Sequence, residues 1–173
     1  LDILASYGFR GIYAKYHPRQ ANELVDTQRD DLAPSKPVRG APAPAELTIF
    51  EHGMPLLVRL GEGLRTGVFL DQRENRLRIR RLAEGASVLN VFSYTCGFTV
   101  AAALGGARET TSVDASAAAL EWGKRGLASV KDVTGKHRFM HDDVFTVLDR
   151  MARRGDRYDI LIVDPPTYSS TRR

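Results

Sequence analysis

Asp114, Asp142 and Asp164 each close a strand-like run, ETTSVD, HRFMHD and YDILIVD, and Asp143 follows directly on the second. Ligands of an open parallel sheet bind outside the carboxyl ends of its strands. A carboxylate in that place accepts hydrogen bonds from hydroxyl or amino groups of a bound molecule. Asp114 stands about 20 residues beyond the loop in NVFSYTCGF, a spacing at which an acidic residue accepts from ribose hydroxyls. It serves equally as a cap for the helix that starts beside Ser116. Asp142 or Asp143 offers an acceptor for an adenine amino group, with Val144 and Phe145 as apolar walls for the ring. The same position is an N-cap for the helix that begins there. The loop NVFSYTCGF runs straight from a strand into a helix, which brings backbone N–H groups close to a ligand. Gly97 permits that approach because it has no Cβ, although a plain tight turn would also use it.

The sharpest signal is Asp164-Pro165-Pro166-Thr167-Tyr168. A carboxylate after an apolar strand, then two prolines that rigidify the turn, makes a fixed wall beside a slot of nucleobase size. Backbone carbonyls there lack helical partners and can accept from a substrate amino group. Other chemistries lack their residues. Cys96 is the single cysteine, which excludes an internal disulfide and a cysteine-built zinc site. A reduced thiol fits a cytoplasmic protein. The histidines, His17, His52, His137 and His141, show no metal-ligand spacing, and no metal is expected. No G-x-G-x-x-G follows the first strand, which argues against a nicotinamide dinucleotide.

These residues need a scaffold that gathers strand ends. From Asp71 the sequence alternates between helical and strand patterns. DQRENRLRIRRLAE has no Gly or Pro inside it and reads as a helix. SVLNVF (87–92) is a buried-type strand. FTVAAALGG is a helix stopped by Gly105-Gly106, and ETTSVD (109–114) is a strand. SAAALEWGKRGLASV is a helix capped by Ser116. HRFMHD (137–142) is a strand, VFTVLDRMARRG a helix, and YDILIVD (158–164) the most β-like run of the chain. Four alternations with short connections predict a doubly wound parallel sheet with right-handed crossovers.

The first 70 residues read differently. FRGIYAKY (9–16) alternates like a strand. LTIFEH and MPLLVRL form a hairpin with Gly53 in its turn, and TGVFL (66–70) is a further short strand. Residues 30–45 carry Pro34, Pro37, Pro42 and Pro44, so they form a semi-extended connector, neither helix nor central strand. The expected organisation is a small β-rich module over 1–70 and an α/β domain over 71–173.

Hydrophobic residues make up 43% and charged residues 27%, a globular composition too apolar for disorder. No apolar run approaches the ~20 residues of a membrane helix, and no signal peptide is visible. The net charge of +4 favours a polyanionic partner, because phosphate contacts supply most non-specific nucleic-acid affinity. Arg73, Arg76, Arg78, Arg80 and Arg81 crowd one predicted helix, and Arg150, Arg153, Arg154 and Arg157 another stretch. Phosphate contacts are open to them, and a solvated face accounts for most.

Taken together, LNVFSYTCGFTVAAALGG, TSVDASAAALEWGKR, HDDVF and ILIVDPPTYSS resemble the bacterial 23S ribosomal RNA methyltransferases that modify cytosine C5 or guanine nitrogens. TGVFLDQRENR is similar to the family's segment that folds over the cofactor, and YAKYHPRQANELV to the small module preceding its catalytic domain. The resemblance covers nearly the whole chain, and its specificity lies in the combination of LDQR, FSYT, VD and DPP. It implies a Rossmann-like class I methyltransferase sheet preceded by a small β-rich module. The implied cofactor is S-adenosylmethionine, the implied partner is ribosomal RNA, and the implied location is the cytoplasm.

Residue by residue, the resemblance implies that Asn90, Phe92, Ser93, Tyr94, Thr95 and Gly97 surround the methionine part of the cofactor. Asp114, with Ala115 and Ser116, would hold the ribose hydroxyls. Asp143, with Asp142 as the alternative, would take the adenine amino group beside Val144 and Phe145. Leu70, Gln72 and Arg73 would close over the cofactor. Asp164, Pro165 and Pro166 would lie between the methyl donor and the target base as the catalytic residues, with Asp164 also binding the cofactor.

Two departures stand out. Tyr94 and Cys96 occupy loop positions where many methyltransferases carry glycines. The chain also stops seven residues past Pro166, where such a sheet needs about three more strands, so the sheet is expected to lack its C-terminal strands here. Methylation at cytosine C5 requires a thiolate that attacks the neighbouring ring carbon. Cys96 has nothing beside it to lower its pKa and is not expected to be that nucleophile, which would have to lie beyond Arg173. A guanine nitrogen needs only positioning in line with the methyl sulfonium. The competing readings are a methyltransferase of DNA, protein or a small molecule, and a cofactor-binding fragment without activity. Oligomeric state is not legible in the sequence.

Overall fold

The computed structural model describes residues 2–16 and 31–166. His17, the expectations for YAKYHPRQANELV beyond Tyr16, and those for Thr167-Tyr168 lie outside the described residues. The described chain divides into two compact units, one of residues 2–16, 31–49 and 57–68, the other of residues 50–56 and 69–166.

In the first unit, α1 (Asp2–Ala5) is a single turn, and β1 (Gly11–Ile12) pairs antiparallel with β2 (Arg39–Gly40). The strand expected over 9–16 is cut to two residues, and the proline-rich stretch supplies its partner. The two backbones approach so closely that only glycine fits. A Cβ on Gly11 would overlap the Ala41 carbonyl, and one on Gly40 the Arg10 carbonyl. The Ala43 amide donates to Tyr13 Oη at 2.8 Å and pins the chain beyond β2.

β3 (Leu47–Glu51) and β4 (Met54–Val58) form the expected hairpin. His52 and Gly53 both take positive φ, 49° and 76°, as a two-residue turn matched to strand twist requires. Residues 66–70 are not a strand. Gly67 has φ 106°, a conformation that breaks an extended run. Leu70–Gln72 then forms a 3-10 turn leading into α2 (Arg73–Leu82).

The second unit alternates as its sequence predicts: β5 (Ser87–Val91), α3 (Gly97–Leu104), β6 (Glu109–Asp114), α4 (Ala117–Ala128), β7 (Lys136–His141), α5 (Val144–Arg154) and β8 (Ile160–Val163). These four strands are parallel, in the order β7-β6-β5-β8. Every residue of β5 is buried, as the centre of a sheet covered on both faces demands. Alternate side chains serve alternate layers. Val88 packs with Ala83, Ala86, Ala102 and Ile162 on the α2–α3 side, whereas Leu89 and Val91 pack with Val113, Val144, Val147 and Met151 beneath α5.

The chain steps outward from β5 to β6 to β7 and then returns past β5 to β8. That reversal puts a topological switch point between β5 and β8, and a ligand crevice opens at the carboxyl ends of those strands. At the opposite end, Asp159 clasps β5. Its Oδ2 accepts from Ser87 N and Ser87 Oγ, both at 2.8 Å, and from Arg108 Nη1 at 2.9 Å. No helix among the described residues is long and apolar enough to cross a membrane.

Candidate active site

The crevice is bounded first by the loop that leaves β5. Phe92, Tyr94 and Cys96 alternate in left-handed backbone, with φ of 56°, 47° and 59°. None is glycine, so each costs on the order of 1 kcal/mol. Hydrogen bonds over-determine the loop and hold it there. Ser93 N donates to Val113 O at 3.0 Å, Tyr94 N to Asp114 Oδ2 at 2.7 Å, and Cys96 N to Ser93 O at 2.8 Å. The other oxygen of Asp114, Oδ1, accepts from Ser116 N at 2.8 Å. One carboxylate thus ties the β5 loop to the start of α4. Each of its oxygens keeps a second lone pair. Ala115 and Ser116 are exposed beside it, and Thr95 and Gly97 are half-buried in the loop.

Asn90 lies deeper than its loop neighbours, 1% exposed. Its Nδ2 donates to Thr99 Oγ1 at 3.0 Å, and that hydroxyl pairs with Ser112 Oγ at 2.7 Å. This buried polar chain is the floor of the loop rather than its open rim. Cys96 is buried in the same place, its Sγ 3.7 Å from Ser93 Oγ and from Tyr94 O. Burial pushes its thiol up to about 11, so it carries almost no thiolate at neutral pH and is a poor nucleophile. The departure from glycine at Tyr94 has a packing role: its ring centroid lies 5.6 Å from that of Phe69 and 6.5 Å from that of Trp122 on α4.

Beyond β7 the carboxylates are engaged by their own helix. Asp143 caps α5, its Oδ1 accepting from Thr146 N at 2.8 Å and Thr146 Oγ1 at 3.0 Å. Asp142 accepts from Arg150 Nη2 at 2.6 Å and from the Asp143 amide at 2.8 Å. The Arg150 guanidinium, followed by that amide, holds the Asp142 carboxyl below the usual carboxylate range. Val144 is core. Phe145 is 68% exposed and meets Phe92 edge to face at 6.0 Å, so an aromatic surface stands next to the acidic pair. His141 Nε2 donates to Ala115 O at 3.1 Å and links the ends of β6 and β7.

At the switch point, Gln72 Nε2 donates to Asp164 Oδ1 at 3.4 Å. This contact brings together the segment before α2 and the end of β8, 92 positions apart. Leu70, Arg73, Asp164, Pro165 and Pro166 are exposed around it, and Arg73 Nε contacts Glu74 Oε1 at 3.3 Å.

Sequence reasoning missed two residues beside this crevice. Arg76 reads as one of several surface arginines, yet it is buried. Its Nε and Nη2 donate to the two oxygens of Glu51, each at 2.7 Å, and Nη2 also donates to Phe69 O at 2.9 Å. The helical period carries a signal for it, since Arg76 shares a stripe with Ile79 of α2 and with Ala83, which caps that helix. Glu51 gives no such signal, being a charged residue next to an exposed turn.

A parallel sheet in this order, a strained loop after its central strand and a carboxylate closing the next strand define a class I methyltransferase type of α/β domain. The S-adenosylmethionine-dependent methyltransferase family matches residues 18–172, and the chain belongs to that family. It is 46% identical over 132 residues, 76% of this chain, to the ribosomal RNA large subunit methyltransferase I of Salmonella arizonae. The chain spans about a third, 33%, of that relative's length. Among solved structures it resembles a candidate methyltransferase from Streptococcus mutans, with 34% identity and a TM-score of 0.80 over 95% of this chain and 42% of that one. A candidate methyltransferase solved in complex with S-adenosylhomocysteine gives a TM-score of 0.82 at 34% identity, over 98% of this chain and 42% of the other.

Proposed function

We propose that this chain binds S-adenosylmethionine across the carboxyl ends of β5, β6 and β7. We propose further that the protein methylates a base of large-subunit ribosomal RNA. The cofactor placement is supported by the spare lone pairs of Asp114, by the exposed Phe145 ring beside Asp142 and Asp143, and by the hydrogen-bonded loop from Phe92 to Gly97. In this reading Asp114 takes the ribose diol, while Asp143, or Asp142 in its stead, receives the adenine amino group through oxygens not used within α5. Leu70, Gln72 and Arg73 cover the site. When bound, the cofactor supplies an electrophilic methyl group on a sulfonium sulfur.

Asp164, Pro165 and Pro166 hold the target base against that methyl group, and proximity supplies most of the rate. A ring-nitrogen target needs no more than this positioning. A ring-carbon target also needs a thiolate, a role for which Cys96 is unsuited. The observation that carries the RNA assignment is the 46% identity to an enzyme named for ribosomal RNA. We take the protein to be cytoplasmic, the location that a ribosomal RNA substrate favours.

Calorimetric titration with S-adenosylhomocysteine, with NAD as control, tests the cofactor reading. Micromolar binding of the former alone is expected; binding of neither removes it. Asp164→Ala should leave that affinity within about threefold while abolishing methylation of ribosomal RNA by the full-length protein, mapped by mass spectrometry of the nucleotides. A large loss of binding would make Asp164 a cofactor residue only.

A further inference from the structure

Two contacts at Phe69 help to hold the segment Phe69–Gln72, beside the bond that Asn75 Nδ2 donates to Gln72 Oε1 at 2.8 Å. From one side Arg76 donates to the Phe69 carbonyl, the residue that enters the 3-10 turn. From the other, the Phe69 ring packs on Tyr94, which packs on Trp122. Arg76 is itself fixed by the fork of Glu51, and both side chains are 4% exposed. A Cβ added to Gly97 would stand 3.4 Å from Arg76 Cδ, so the arginine stem also lies against the first residue of α3. The tip of the β3–β4 hairpin is anchored to α2 at two further points, His52 Nε2 to Glu74 Oε1 at 3.1 Å and Arg80 Nη1 to His52 O at 3.1 Å.

A buried ion pair is a poor device for stability alone. Desolvation cancels much of its Coulombic gain, and a well-packed apolar pair of similar volume is often as stable. Its distinctive property is direction. A planar guanidinium held through Nε and Nη2 by one carboxylate has a fixed orientation, and the second N–H of Nη2 then points to one place. Here that place is the carbonyl at the start of the cover.

We propose that Glu51 and Arg76 are positioning residues. Through Phe69 they hold the Leu70–Arg73 cover in its closed place over the β5 loop, so that its contact with Asp164 exists before any ligand arrives. A cover ordered in advance loses less conformational entropy on binding, and the affinity for the cofactor rises accordingly. The inference rests on the cofactor reading only for its effect on affinity, not for the clamp itself.

The test compares the wild-type chain with the double variant Glu51→Leu/Arg76→Met, with Arg76→Lys, and with Asp159→Asn as a control at the far end of the sheet. Thermal melts grade stability, and each variant is titrated at a temperature where circular dichroism shows it folded. The double variant is expected to melt within a few degrees of wild type yet bind S-adenosylhomocysteine at least tenfold more weakly. Arg76→Lys, which keeps the charge but loses the fork, should lose at least fivefold, whereas Asp159→Asn should bind within twofold whatever its melting point. Emission of Trp122, the only tryptophan, gives a readout that needs no ligand, and both clamp variants should shift it to the red as Phe69 and Tyr94 loosen. Affinities that simply follow melting temperature, or wild-type affinity with unchanged emission, overturn the proposal. If the double variant does not fold, Arg76→Lys decides by the same two readouts. Failure of the wild type to bind would sink the cofactor reading, while emission would still decide the clamp.

Discussion

Asp114 concentrates more of the site than any other side chain. Its two oxygens accept the Tyr94 and Ser116 amides, so it shapes the loop in addition to its proposed role toward the ribose diol. Asp114→Ala should therefore weaken S-adenosylhomocysteine binding at least tenfold, about 1.4 kcal/mol, as measured by calorimetry. Unchanged affinity would remove Asp114 from the site. Cys96 is the opposite case. Its thiol is buried and pushed up to about 11. Cys96→Ala should keep cofactor affinity within about threefold and lose only about 1 kcal/mol of stability. The native protein should also resist a thiol reagent that labels the unfolded chain at once. Rapid labelling of the folded protein would contradict the burial of this residue.

At the scale of elements, the loop after β5 and the helix α4 meet with no spare volume. A Cβ on Gly123 of α4 would fall 2.5 Å from Cys96 Sγ and 2.8 Å from Cys96 Cβ. Both belong to packed elements, so the clash is relieved only by backbone movement of the strained loop. Gly123→Ala should cost about 2 kcal/mol, lowering Tm by roughly 4–8 °C, and it should weaken cofactor binding because the displaced loop is the proposed binding loop. A melt and a titration that both match wild type would show the interface to be slack. The element boundaries themselves were largely readable from sequence. Ser116 caps α4, Gly155 ends α5 at φ 71°, and His52-Gly53 turns the hairpin. Each is a local event between near neighbours.

For the whole molecule, acid is the lever. Three carboxylates, two exposed and one, Asp142, half-buried, have pKa values lowered by folding. Asp159 is lowered chiefly by the Ser87 amide, Asp142 by Arg150 and Glu74 by His52. A depressed folded pKa means that the stabilisation is fully present above the unfolded values of about 4. It is lost as pH falls through the folded values, which lie lower. Melts from pH 6 downward should hold steady to about pH 5 and then decline. Asp159→Asn should start lower and decline less steeply, since the variant no longer has that carboxylate to protonate. Parallel declines in the two proteins would show that the clasp between β5 and β8 contributes nothing to acid stability.

The sequence by itself determined the alternation of strand and helix, the strand ends where Asp114, Asp142 and Asp164 stand, and the caps between them. Hydrophobic period, turn chemistry and capping act over a few residues, so they can be read without knowing the fold. Other outcomes needed the tertiary structure. The order β7-β6-β5-β8, which creates the crevice between β5 and β8, arises from pairing between distant strands. The strand expected at TGVFL gave way to a turn at Gly67 and the 3-10 segment that carries Leu70 and Gln72. Asn90 went to the floor of the loop rather than its rim, because Thr99 and Ser112 meet it from α3 and β6. Arg76 became a buried clamp only because Glu51, 25 positions earlier, is folded back against it. A charge is read as solvated until its partner is known, and partners this far apart along the chain are brought together by packing, not by any local pattern.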